Sequence, residues 1–265
     1  MPVLQLSDPH LLADPGGSYR GRRPLPALER ALQEGFAAGP VEVLLLSGDL
    51  CQDETWGGYV RLRERLEALL ARRPGLAVAL LPGNHDHPAL LRAALGRLAL
   101  VAPAELRHPG GRLLLLDSHC PGRVGGLLGE RQLRWLRQRL REGEASLPTL
   151  VAVHHPPLPI GDPGMDAIAL EDGPALLALL RGAPGLQAVV FGHIHQHWCG
   201  RLEGDPGDPS VALLGCPSTL CPFPAVQPCP LGRAGDPGGR LLRLDPGGLQ
   251  ERLLRWAPAA LPSLG

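Results

Sequence analysis

An apolar run from Leu76 to Leu81 stops at Pro82-Gly83 and is followed at once by Asn84, His85 and Asp86. A short apolar run closed by a turn signal reads as a buried strand, so three polar side chains sit at its tip. An amide oxygen can bind a metal ion. An imidazole can move a proton or steady a phosphate oxygen, and a neighbouring carboxylate can orient that imidazole and keep it charged. The arrangement recurs. Pro2 to Leu6 ends in Ser7-Asp8-Pro9-His10, and Val41 to Leu46 ends in Ser47-Gly48-Asp49. Arg112 to Leu116 ends in Asp117-Ser118-His119, Thr149 to Val153 in His154-His155, and Gln187 to Phe191 in Gly192-His193-Ile194-His195.

Helical patterns separate these strands: Pro24 to Ala38, Asp53 as N-cap through to Arg73, Pro88 to Leu98, Glu130 to Arg141, and Gly173 to Leu180 capped by Asp172. Leu62, Leu66, Leu69 and Leu70 share one face of the second, and Leu133, Leu136 and Leu140 one face of the fourth. The alternation predicts an α/β fold. After His195 the pattern changes to short apolar runs (Cys199 to Leu202, Val211 to Leu214, Arg240 to Leu244, Leu249 to Trp256) divided by Asp-Pro-Gly turns at Asp205, Asp236 and Asp245. That spacing predicts antiparallel strands. No linker divides the chain. We expect one domain over 1–265, with a metal-site α/β part over 1–197 and a β-rich part over 198–265.

In a sheet with parallel strands the carboxyl ends lie along one edge, where ligands bind. Asp8, His10, Asp49, Asn84, His154, His193 and His195 are thereby expected in one place. Carboxylate, amide and imidazole without thiolate suit Fe or Mn, with Zn, Co or Ni as further options. Seven ligands are too many for one tetrahedral ion, so two ions sharing a carboxylate are expected. Asp49, following Gly48, is the best bridge. In Gly192-His193-Ile194-His195, alternation along an extended chain would point both imidazoles to one side. Two ions about 3.5–4 Å apart make hydroxide from a trapped water and neutralise phosphate oxygens, the usual device for in-line attack at phosphorus. His108 reads as a surface residue, whereas His119, His155 and His197 are candidates for the pocket wall.

Composition excludes several functions. Arg supplies all the basic residues and Lys is absent, which rules out Schiff-base or Walker-type lysine chemistry. Basic and acidic residues number 26 each. Zero net charge and few aromatics argue against a binder of long nucleic acid. The six cysteines form no C-x-x-C and read as free thiols. No apolar run is long enough to span a bilayer, and Met1-Pro-Val-Leu enters a strand without a leader pattern. A cytoplasmic protein away from membranes is expected.

The blocks Asp8-x-His10, Gly48-Asp49, Gly83-Asn84-His85-Asp86, His154 and Gly192-His193-x-His195 resemble, in order, the signature of the calcineurin-like metallophosphoesterases. A narrower resemblance is to the bacterial class III cyclic-AMP phosphodiesterases. It rests on Gln5-Leu-Ser-Asp-Pro-His-Leu11, Ser47-Gly-Asp-Leu50 with Gln52-Asp53, Leu81-Pro-Gly-Asn-His-Asp86, Leu114-Leu-Leu-Asp-Ser118, Gly192-His-Ile-His-Gln196 and Pro217-Ser-Thr219. The resemblance implies a four-layer αββα sandwich with two mixed sheets. It implies Asp8, His10, Asp49 and His195 on one ion and Asp49, Asn84, His154 and His193 on the other. His85 would sit over the scissile phosphate, oriented by Asp86. The implied reaction is hydrolysis of 3′,5′-cyclic AMP to 5′-AMP by a hydroxide held between the metals. Another phosphodiester, a phosphomonoester, or a binding protein that has lost catalysis are the rival readings. The expected partner is a small phosphodiester, with His10, Asn84, His119, His155, His195 and His197 as candidate substrate contacts and a homodimer left open. The loop from Asp14 to Arg23, His197, and the Cys/Pro-rich loop from Cys216 to Pro230 depart from the family pattern and are expected to shape the pocket.

Overall fold

The computed structural model describes residues 1–142, 147–204 and 210–259, so the expected Asp205-Pro-Gly turn lies outside the described residues. In chain order the elements are β1 (Pro2–Leu6), α1 (Pro24–Ala37), β2 (Val43–Ser47), α2 (Trp56–Arg72), β3 (Ala77–Leu81), α3 (Pro88–Leu95), β4 (Leu100–Val101), β5 (Ala104–His108) and β6 (Gly111–Leu115). There follow α4 (Gly129–Glu142), β7 (Thr149–Val153), α5 (Pro163–Asp166), α6 (Gly173–Leu180), β8 (Leu186–Phe191), β9 (Trp198–Leu202), β10 (Val211–Gly215), β11 (Gly238–Asp245) and β12 (Gly248–Arg255).

Two mixed six-stranded sheets run β12-β11-β1-β2-β3-β4 and β5-β6-β7-β8-β10-β9. Their centres are parallel. Val3 pairs with Val43 and Val43 with Ala77, so β1, β2 and β3 end in step and release their tips at one edge. In the second sheet Leu115 pairs with Ala152, Ala152 with Val190 and Val190 with Leu214. The antiparallel strands of the C-terminal part do not form a unit of their own: β11 pairs with β1, and β9 and β10 extend the second sheet.

Alternation along the strands divides the core into three slabs. Between the sheets, Val3, Val43, Leu45 and Leu81 are packed with Leu113, Leu115, Leu150 and Val190. The opposite face of the first sheet (Leu4, Leu44, Leu46, Leu80) buries Leu28 of α1, Leu62 and Leu66 of α2, and Leu91 of α3. The opposite face of the second (Leu114, Val151, Val189) buries Leu136 and Leu140 of α4 and Leu176 and Leu180 of α6. The layers are therefore αββα, as expected.

Local details differ from the sequence reading. Thr55, not Asp53, caps α2, its side chain accepting from Gly58 N; Asp53 instead accepts from the Thr55 hydroxyl at 2.8 Å. Asp172 precedes α6 but does not cap it, because its two oxygens accept from Leu128 N and Gly129 N at the start of α4. α3 stops at Leu95 rather than Leu98. β4 and β5 were not expected: β4 has only two residues, and β5 is an edge strand whose Glu105 and Arg107 blur its apolar pattern. Asp245-Pro-Gly forms the β11–β12 hairpin as expected.

Candidate metal centre

The strand tips meet between the two sheets. Backbone bonds stitch them together: Asp8 N donates to Gly48 O (3.1 Å), His10 N to Asp49 O (2.9 Å) and Gly192 N to His154 O (3.0 Å). His193 N donates to Asp8 Oδ1 at 3.2 Å, linking the sheets. The tips are strained. Asp8, His10, Asp49, His193 and His195 have φ of 53°, 48°, 50°, 66° and 54°, a left-handed region uncommon for residues with a Cβ. Strain of this kind persists only where surrounding bonds over-determine it. The two imidazoles of Gly192-His193-Ile194-His195 therefore reach the site through this kinked backbone, not through alternation along a strand. Glycines make room: a Cβ on Gly83 would lie 2.1 Å from Asp49 Oδ1, and one on Gly48 2.0 Å from His154 Nδ1.

Each of three imidazoles has Nδ1 fixed by an oxygen. His154 Nδ1 donates to Ser47 O (2.8 Å), His195 Nδ1 to Cys221 O (2.7 Å) and His10 Nδ1 to Gln52 Oε1 (2.7 Å). In the neutral ring this leaves Nε2 bare and aimed inward, the tautomer of a metal ligand. His10 Nε2 and His195 Nε2 then face each other at 3.0 Å with no hydrogen between them. Asp49 stands between two groups, with Oδ1 3.4 Å from His154 Nε2 and Oδ2 3.8 Å from His10 Nε2. Asp8 Oδ1 is 3.5 Å from His195 Nε2.

Four buried atoms of the site lack any hydrogen-bond partner among the described residues: Asp8 Oδ2, Asn84 Oδ1, His154 Nε2 and His193 Nε2. All four belong to residues expected as ligands. Two are oxygens that cannot donate; the nitrogens are lone pairs once Nδ1 carries the hydrogen, as bonding fixes it in His154. Orphaned buried polar atoms are costly, and a cluster of acceptors is satisfied by a cation. Asp8, His10, Asp49 and His195 place ligand atoms within 4.8 Å of one another, and so do His154, His155 and His193. The donor set fits two divalent cations.

Titration within the site is divided: burial would lower His154, but Asp49 and Asp8 beside it outweigh that and raise the ring to about 9. Burial pushes the Asp8 carboxyl up to about 7 against the pull of His154. Burial acts likewise on Asp49, but His154 and His10 outweigh it and hold that carboxyl well below its ordinary range. His193 and His195 are kept neutral by burial and by the neighbouring imidazoles, both well below the usual value, and burial lowers His10 to about 4. Neutral imidazoles and ionised carboxylates are the forms that bind metal, so Asp49, His10, His193 and His195 are ready for a cation, whereas Asp8 and His154 would have to give up a proton to it.

Other expectations need correction. Asp86 does not orient His85. Its carboxylate accepts from Leu50 N, Cys51 N, Gly83 N and the Tyr59 hydroxyl, so it clamps the loops after β2 and β3 together. Gln52 takes the orienting place: its Nε2 donates to His85 Nδ1 at 3.2 Å while its Oε1 holds His10. Among the histidines expected to contact substrate, His155 has no nitrogen to spare. Its Nδ1 accepts from the Ser118 hydroxyl (2.8 Å) and its Nε2 donates to Val124 O (2.9 Å). It packs against His193 with ring centroids 4.6 Å apart. His197 is held away from the centre, its Nδ1 accepting from Arg240 at 2.9 Å. His119 is half-buried after β6, with no hydrogen bond from its ring among the described residues. His108 pairs with Glu42 outside the site.

Sequence reasoning gave no role to Gln52 or to Ser218, whose hydroxyl donates to Asp8 O and accepts from Leu220 N and Cys221 N. Gln52 lies three residues after Asp49, and that proximity to a ligand was the available signal.

Known proteins of similar sequence agree with this geometry. A probable cyclic nucleotide phosphodiesterase of Synechococcus sp. (strain WH7803) is 49% identical over 259 residues, 96% of each chain. The 3′,5′-cyclic adenosine monophosphate phosphodiesterase CpdA of Pseudomonas aeruginosa is 36% identical over 258 residues, covering 96% of this chain and 89% of that one. Among solved structures, a purple acid phosphatase from yellow lupin seeds superposes with TM-score 0.65 at 14% identity, over 96% of this chain and 51% of that one, a likeness of fold. The calcineurin-like phosphoesterase family matches residues 1–197, which span all seven of the expected metal ligands. The chain belongs to the calcineurin-like phosphoesterases.

Proposed function

We propose that this chain is a two-metal phosphodiesterase of the cytoplasm that hydrolyses 3′,5′-cyclic AMP to 5′-AMP. The observation that carries the reading is the set of orphaned acceptors on Asp8, Asn84, His154 and His193 around a carboxylate, Asp49, that faces imidazoles on both sides. Asp8, His10, Asp49 and His195 would hold one cation, and Asp49, Asn84, His154 and His193 the other, with Fe or Mn the best matches to this donor set. Two such cations polarise a phosphoryl group and lower the pKa of water.

The chain's own residues supply positioning and a hydrogen-bond donor. His85 N donates to Asp49 Oδ1 at 3.0 Å, which ties the His85 backbone to the centre of the site. Because Gln52 donates to His85 Nδ1, the neutral ring carries its hydrogen on Nε2, where it can donate a hydrogen bond to a phosphoryl oxygen or to the leaving O3′ as charge builds there. Ser118 and Val124 lock His155, which in turn backs His193. The relatives named as cyclic nucleotide phosphodiesterases support this substrate. The zero formal charge gives no broad basic surface for long nucleic acid. We treat the chain as one working unit, since β11 and β12 extend the sheet that carries Asp8. Among the described residues no helix is long and apolar enough to cross a membrane.

The test is Mn-loaded protein against 3′,5′-cyclic AMP, 2′,3′-cyclic AMP, a glycerophosphodiester and an aryl phosphomonoester. The highest kcat/KM is expected for 3′,5′-cyclic AMP, with 5′-AMP as product. Turnover of another member of the panel with none of 3′,5′-cyclic AMP would overturn the substrate.

A further inference from the structure

We propose a second anion site, separate from the metal centre, in which Arg20, Arg22 and Arg23 bind a phosphoryl group. These side chains line a cavity of about 280 Å³ completed by Gly21, Pro26, Ala27, Leu220, Pro237, Pro258 and Ala259. No carboxylate lines it, and none of the three arginines forms an ion pair among the described residues. Arg22 Nη1 and Arg23 Nε are buried without a hydrogen-bond partner among those residues. Arg20 is exposed and Arg22 and Arg23 are half-buried, so the guanidinium groups are open to a ligand in the cavity, and their planar fork matches phosphate oxygens.

The local backbone is built to present this charge. Tyr19 and Arg22 exchange both backbone hydrogen bonds (2.9 and 3.0 Å), and between them Arg20 and Gly21 have φ of 50° and 73°. Positive φ at both central residues marks a tight hairpin turn, so Arg20 is held at its tip in a conformation that glycine would adopt at lower cost. The Arg20 Nε donates to the Tyr19 hydroxyl, and its guanidinium lies 4.9 Å from the Phe223 ring centroid. Phe223 stacks on His195 at 4.1 Å, and the Tyr19 ring is 4.9 Å from His10. The basic cavity is thus separated from the metal centre by one layer of aromatic rings. Its ligand is a phosphoryl dianion, either inorganic phosphate or the phosphate of a nucleoside 5′-phosphate.

Equilibrium dialysis with labelled inorganic phosphate and, separately, labelled 5′-AMP tests this on the Mn-loaded protein. Wild type should show two classes of site for at least one of these anions. The double variant R22A/R23A should lose one class, with affinity there falling about 10- to 100-fold, while the other class and the bound Mn are retained. R22K/R23K should retain charge but bind more weakly than wild type. D49A should lose the other class and keep the arginine-dependent one, so failure of the metal-centre reading is scored separately. Retention of the second class by phosphate alone assigns inorganic phosphate, and by 5′-AMP alone assigns the nucleotide. A single class of site for both anions in wild type, or equal binding by R22A/R23A with its circular dichroism unchanged, would overturn the proposal.

Discussion

Arg240 and Asp8 are both fully buried, and both sit where the two sheets touch, yet their surroundings are opposite. The Arg240 guanidinium donates to Gly215 O, Trp198 O, His197 Nδ1 and Glu251 Oε2, binding β11 of one sheet to β9 and β10 of the other. All three of its nitrogens are used. Around Asp8 the buried groups are acceptors that point at one another, with Asp8 Oδ2 and three more atoms unsatisfied. A satisfied polar cluster holds the fold together by itself. A cluster with only acceptors is incomplete without a cation, and its left-handed backbone shows that packing elsewhere maintains it.

The sharpest way to break the contrast is Asp49→Ala. Removing the carboxylate that faces both imidazole groups should lower kcat/KM by at least ~10³-fold. It should also abolish the stabilisation by metal, which in wild type should reach about 4 kcal/mol at a thousandfold excess over Kd. A Mn-dependent rise in melting temperature that survives in the variant would remove Asp49 from the site. Next is Arg240→Met, which keeps most of the side-chain volume but strands its acceptors. Urea unfolding should register a loss of about 2 kcal/mol, at the lower end because Glu251 can reach water. Metal content and kcat should stay at wild-type values, and a fall in bound metal would mean that the two clusters are coupled. The smallest effect is expected from Gln52→Ala, which frees His10 and His85 together. A loss of about tenfold in kcat with metal content retained is the expected result; an unchanged kcat would deny Gln52 its positioning role.

The layers and the site were legible to different depths. Apolar runs that stop at polar tips gave the strands, and parallel pairing in step did the rest. Asp8, His10, Asp49, His154, His193 and His195 lie beside one another at those tips. What stayed hidden depends on partners remote in sequence. Ser47 O and Cys221 O set the tautomers of His154 and His195, but a backbone carbonyl carries no residue signature. The left-handed conformation of five site residues is imposed by tertiary hydrogen bonds on side chains that do not prefer it. Asp86 beside His85 looked like an imidazole's orienting carboxylate, yet four donors from three segments claim it. His155 and His197 looked available because their partners, Val124, Ser118 and Arg240, lie 31 to 43 positions away.

Anomalous diffraction from crystals of the Mn-loaded protein tests the central claim most directly. The account predicts two peaks, one among Asp8, His10, Asp49 and His195 and one among Asp49, Asn84, His154 and His193, with Asp49 touching both. A single peak, or metal held elsewhere while Asp8 Oδ2 and His193 Nε2 stay bare, would contradict it.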